Sequence, residues 1–306
     1  MKRPFRFSLG LMGGLTGAWF LPLSGSPLHL AAPDHLAQAQ SSTQAAEAQL
    51  SLGLQSIQQG QLNEAIAAFQ RATELNPQLA PAYYNLGLAL RQQGQLQPAA
   101  TAFYQATQVE PGFALAYANL GAALLEGDNY EQANDYLQRA VELDPNLGLA
   151  HYNLGLVQRQ RGQLEAAIAH FQRAIQLSPS APEPAFHLGQ VYLQQQQVDQ
   201  ARTAFQRAVT ISPNYPEAQY GLGSILLDQD DLDAALAAFR RAAEGNPNYP
   251  NAYYGAGLVF MRQGNYTEAQ RVLTNARDLF TAQGNIQWAE SAAQLLQQAQ
   301  RSATPR

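Results

Sequence analysis

A Leu-Gly pair returns every 34 residues, at Leu52-Gly53, Leu86-Gly87, Leu120-Gly121, Leu154-Gly155, Leu188-Gly189 and Leu222-Gly223, with Ala256-Gly257 as a seventh, variant copy. Prolines keep the same phase at Pro77, Pro111, Pro145, Pro179, Pro213 and Pro247. A fixed period of this kind constrains the fold more than any single motif. Each unit is too small to bury its apolar face alone, so neighbours must stack and share one continuous core. A chain of 306 residues would otherwise suggest about two compact domains.

Inside a unit the apolar spacing is helical. Tyr83, Leu86, Gly87 and Leu90 fall on one face, and Ala99, Phe103 and Ala106 fall on another. Gly94-Gln95 separates the two runs and Pro111 ends the second. The unit therefore reads as two amphipathic helices. Small Gly87, Ala99 and Ala106 let them approach, and Leu86 and Phe103 fill the space between.

This register, an aromatic and Leu-Gly in the first helix and then Ala, Phe, Ala and Pro across the second, resembles the tetratricopeptide repeat family. Seven units fit without gaps: 46–79, 80–113, 114–147, 148–181, 182–215, 216–249 and 250–283. Departures are local. Gln49, Ala185 and Gln219 replace the first aromatic, Leu137 and Leu273 replace the Phe, and Thr281 stands where Pro is expected. Residues 284–300 form a closing helix with Trp288, Ala292 and Leu295 on one face, as arrays need to cover their last apolar surface. A six-residue leader at 40–45 and a disordered tail at 301–306 complete the chain. The resemblance implies an all-α, right-handed superhelix whose first helices line a concave groove.

Carried onto that groove, the phase before Leu-Gly holds Asn85, Asn119, Asn153 and His187, then Gly221 and Gly255. Such a series is similar to the amide ladder with which members of the family grip extended peptides. An amide both donates and accepts, so it pairs with any peptide bond; packing between first helices explains the same residues equally well. One residue earlier stand Tyr84, Tyr152, Phe186, Tyr220 and Tyr254, interrupted by Ala118, offering flat contact area or core packing. Arg91 and Arg159 lie further along the same face, with Leu54, Leu88, Leu156 and Leu258. Family members that clasp acidic chaperone tails use lysines at phases that here hold Tyr84, Ala118 and Tyr152, so that role is disfavoured. Arg71, Arg139, Arg173, Arg207 and Arg241 on the second helices read as a solvated face.

Composition removes other classes. There is no cysteine, so disulfides, thiolate chemistry and Cys-held metals are excluded. Charged residues are only 13%, the net charge is −5, and Lys2 is the one lysine, which argues against nucleic acid as a partner. His151, His170 and His187 share no metal-ligand spacing and no catalytic constellation is visible; no cofactor and no enzyme activity are expected.

At the N-terminus Lys2, Arg3 and Arg6 precede an apolar run over residues 7–23, followed by Ala37-Gln38-Ala39. This is the layout of a signal peptide over residues 1–39, with an uncleaved membrane anchor as the alternative. Either sends the repeats across the membrane, to a periplasm, lumen or exterior. The sequence thus predicts an exported scaffold that binds a peptide segment of an envelope partner in its groove. The alternative is a self-assembling homo-oligomeric module.

Overall fold

The computed structural model describes residues 33–303, with side chains from residue 40; the basic and apolar stretch read as an export segment lies outside the described residues. The described chain is all helix, in the order α1 (Pro33–Gln58), α2 (Leu62–Leu75), α3 (Ala80–Gln92), α4 (Leu96–Val109), α5 (Ala114–Glu126), α6 (Tyr130–Leu143), α7 (Gly148–Gln160), α8 (Leu164–Leu177), α9 (Glu183–Gln194), α10 (Val198–Ile211), α11 (Pro216–Asp228), α12 (Leu232–Gly245), α13 (Pro250–Arg262), α14 (Tyr266–Ala282) and α15 (Ile286–Ala303). These are the expected helix pairs followed by a closing helix. Two boundaries differ from expectation. The leader at 40–45 continues α1 without a break, and the tail is helical through Ala303; the Ala- and Gln-rich sequence at both places lacks any residue that would stop a helix.

The turn within each pair places one residue in the left-handed region. Gly60, Gly94, Gly162 and Gly264 serve there with φ of 71–78°, while Asp128, Gln196 and Asp230 hold the same place at φ of 59–62°. Glycine adopts this conformation without steric cost; the other three do not. Second helices begin on Asn129, Asp231 and Asn265, whose side chains cap the backbone, or on Gln61, Gln95, Gln163 and Gln197, whose side chains do not.

Within a pair the Leu-Gly glycine lies flat on the second helix's large residue. A Cβ on Gly53, Gly87, Gly155, Gly189 or Gly223 would meet the ring of Phe69, Phe103, Phe171, Phe205 or Phe239, and on Gly121 or Gly257 it would meet Leu137 or Leu273. Those side chains are fully buried and form the spine of the core. Along the stack, first helices touch each other as well as their second helices: α3 with α5, α5 with α7, α7 with α9, α9 with α11 and α11 with α13. No successive second helices approach to a similar extent. First helices therefore stand on the inner side of the curve and build its concave face.

The two ends differ. Leu52 is 48% exposed, whereas its counterparts Leu86, Leu120, Leu154, Leu188 and Leu222 are buried against the preceding unit. At the other end Trp288 of α15 packs edge-on against Tyr254, centroids 5.5 Å apart, and stacks on Phe280 at 6.0 Å.

Candidate functional site: the concave face

The aromatic phase is held by the core beneath it. Tyr84 packs on Phe103 and Phe113, with centroids 5.8 and 5.0 Å away. Tyr152 lies on Phe171, Phe186 on Phe205 and Tyr215, Tyr220 on Phe239 and Tyr249, and Tyr254 on Phe280 and Trp288. The tyrosines stay half-buried and Phe186 is buried outright. Burial pushes the Tyr152 hydroxyl up to about 12, so this phenol remains a neutral hydrogen-bonding group.

The amide phase is largely engaged within the repeat stack. Asn119 and Asn153 are buried, Asn85 is half-buried, and Asn85 and Asn119 both donate to the carbonyl one turn back, at Pro81 (2.8 Å) and Leu115 (3.0 Å). The cause is packing: this phase faces the previous unit's large ring. At Gly221 and Gly255 an added Cβ would strike Phe205 and Phe239 of the preceding pair.

Two polar networks bridge neighbouring units at this level. In one, Arg91 donates to Glu126 Oε1 through Nε (2.9 Å) and Nη2 (2.6 Å) and to Asn119 Oδ1 through Nη1 (3.3 Å), and Asn119 donates to the Tyr84 hydroxyl at 3.3 Å. In the other, Arg159 Nη1 lies 3.1 Å from His187 Nδ1 and donates to Gln190 Oε1, and His187 contacts Gln190 at 3.0 Å. Burial drives the His187 imidazole down to about 4 and lowers Arg159 as well. His187 is thus neutral at ordinary pH.

Apolar side chains also stay open to solvent on this face. Leu115 (40%), Leu149 (37%) and Leu193 (37%) are exposed, flanked by half-buried Leu88, Leu156 and Leu258. The first three were missed in the sequence. Leu115 and Leu149 stand four residues before Asn119 and Asn153, and that helical offset alone places them on the groove face.

Family models for the tetratricopeptide repeat match residues 84–148, 186–252 and 220–279, and related models match 53–94, 157–196 and 136–169. The chain belongs to the tetratricopeptide repeat family. No curated protein matches it. Among solved structures it is similar to the Cut9 and Hcn1 hetero-tetramer of the APC/C, at 21% identity and TM-score 0.63, over 74% of this chain and 46% of that one; the chain spans about half the length of that relative. YrrB, described as a TPR protein with an unusual peptide-binding site, is 28% identical with TM-score 0.51, over 64% of this chain and 99% of that one. PilF of Pseudomonas aeruginosa is 21% identical with TM-score 0.61, over 69% and 96%.

Tetratricopeptide folds serve protein and peptide interactions and are characteristically non-catalytic scaffolds. Among the described residues no group of three or more His, Asp or Glu is placed to hold a metal ion. Away from the groove, a cleft of about 640 Å³ opens on the outer side between α8 and α10, over Ile175, Leu188, Tyr192 and Ala204. Of the second-helix arginines, Arg71 pairs locally with Glu74 at 3.4 Å and Arg139 with Glu142 at 3.1 Å, as on a solvated face, and Arg173 donates to Gln176 and to Asn146 of the preceding unit.

Proposed function

We propose that this tetratricopeptide protein is an exported scaffold that holds a segment of an envelope protein against its concave face. The observation that carries this is the row of exposed leucines, Leu115, Leu149 and Leu193, on a face whose aromatics and amides are fixed by the core. Side chains already held in place lose little entropy on binding, so apolar contact there converts efficiently into affinity. The likeness to YrrB, a TPR protein with a peptide-binding site, supports a peptide-like ligand. The basic residues ahead of an apolar run at the N-terminus support export.

Crosslinking and affinity capture from an envelope fraction test this, comparing the full chain with a Leu115→Ser, Leu149→Ser double variant. Loss of the captured partner in the variant is expected, and its unchanged recovery would refute the groove as the site. Recovery of the full chain in the cytoplasmic fraction would refute export.

Leu52, 48% exposed among the described residues, favours a second reading, end-to-end self-association through the N-terminal edge of the repeats. Light scattering on the full chain and on Leu52→Glu separates the two. A monomer at every concentration excludes stable self-assembly.

A further inference from the structure

We infer that Arg159 seats a carboxylate side chain carried within an otherwise apolar segment of the partner. The inference rests on the reading of the concave face as a segment-binding surface, and adds the chemistry of what binds. Arg91 and Arg159 occupy the same place in their units, yet their surroundings differ at two positions. Arg91 is neutralised by Glu126 through two nitrogens. Two units on, the counterpart of Glu126 is Gln194 and the counterpart of Asn119 is His187. Arg159 accordingly faces only neutral acceptors, His187 and Gln190, and both sit on a single nitrogen, Nη1.

Arg159 makes no ion pair among the described residues, although it is more deeply buried than an ordinary surface arginine. Among the described residues its Nε and Nη2 make no hydrogen bond, and neither is among the fully buried unpaired atoms, so both remain within reach of solvent. These two nitrogens form the edge of the guanidinium that matches a carboxylate with two parallel hydrogen bonds. A half-desolvated cation without a counter-ion gains most from such a partner, because its own hydration has already been reduced. His187 stays neutral, its pKa held near 4 by burial, and leaves Arg159 as the one cation of this network, with the carboxylate acting on Tyr152, that of Glu183, making no ion pair with it.

The apolar surroundings say where in the segment the acid sits. Leu193 is exposed at the Arg159 phase of the next unit, and Leu149 is exposed toward the other end of α7, roughly 15 Å away by helical rise. Leu156 lies half-buried between them. Apolar contact on both sides of Arg159 fits an internal acidic residue flanked by apolar ones, rather than a chain terminus.

Random linear peptides displayed on phage and selected on the immobilised full chain provide the test. Expected are peptides with one Asp or Glu between apolar residues, which bind as amidated synthetic peptides and weaken about tenfold or more with Arg159→Gln. The Arg139→Gln variant, on the solvated face of the second helices, should bind them normally, and circular dichroism checks that each variant folds. Groove-binding peptides without an acidic residue, or with acidity indifferent to Arg159→Gln, would overturn this inference while sparing the scaffold reading. Binding lost on C-terminal amidation would overturn it likewise. Peptides indifferent to the Leu115→Ser, Leu149→Ser variant, or no enrichment at all, would remove the scaffold reading and this inference with it.

Discussion

Gly87 lies so close to the ring of Phe103 that a Cβ on it would stand 2.7 Å from Cδ1. Phe103 is fully buried and has no room to retreat. Gly87→Ala should therefore cost about 1–3 kcal/mol by overpacking, despite the better helix propensity of alanine. Urea unfolding followed by circular dichroism measures it; a neutral or stabilising result would mean that the two helices can separate cheaply.

The turn of unit five is a place where the protein can be improved. Gln196 holds φ of 61° at the position that glycine fills in units one, two, four and seven. Gln196→Gly should stabilise the array by roughly 0.5–1 kcal/mol, since relief of left-handed strain exceeds the added freedom of the unfolded chain. The reverse change, Gly162→Gln, should destabilise by a similar amount. Paired denaturation curves decide both.

Stability should fall with acid. The folded His187 imidazole takes its proton only near 4, against 6.5 when exposed. Between those values the unfolded chain binds more protons, so stability is present in full above pH 6.5 and declines as pH drops toward 4, by on the order of 2–3 kcal/mol. His170, lowered by burial and by its neighbour His151, acts in the same sense. The His187→Gln variant should show a visibly flatter pH dependence; equal slopes would contradict the burial of this ring.

Much of the fold was legible because its determinants are local and repeated. Gly87 and Phe103, or Gly155 and Phe171, announce themselves by phase, and the structure brings each pair together. The site was less legible because phase gives a direction and not an exposure. Asn119 and Asn153 point along the groove side of their helices, but the preceding unit's large side chain closes over that level. Leu115 and Leu149 look like core residues in the sequence, yet they stay 40% and 37% exposed. Likewise, Arg91 and Arg159 differ only through residues about 30 positions away, Glu126 against Gln194. A single helix does not reveal that difference.

Removal of α15 should be felt locally. Trp288 covers Tyr254 and Phe280, and in a stack of nearest-neighbour contacts the loss passes only one unit inward before it fades. Amide hydrogen exchange on a chain ending at Gly284 should show lost protection in α13 and α14 and native protection in α3 to α8. Uniform loss would indicate a more cooperative array.

The unequal ends have a mechanical meaning. Trp288 latches the last pair of helices, while at the first pair Leu52 stays about half exposed among the described residues. Drawn out by its two termini, the protein should unzip from the N-terminal side one pair at a time, each step drawing on the same glycine-and-ring joint. A chain of this build is a ratchet of nearly equal teeth with a single locked end, and load applied through its N-terminus reaches the groove only after the first pair has yielded.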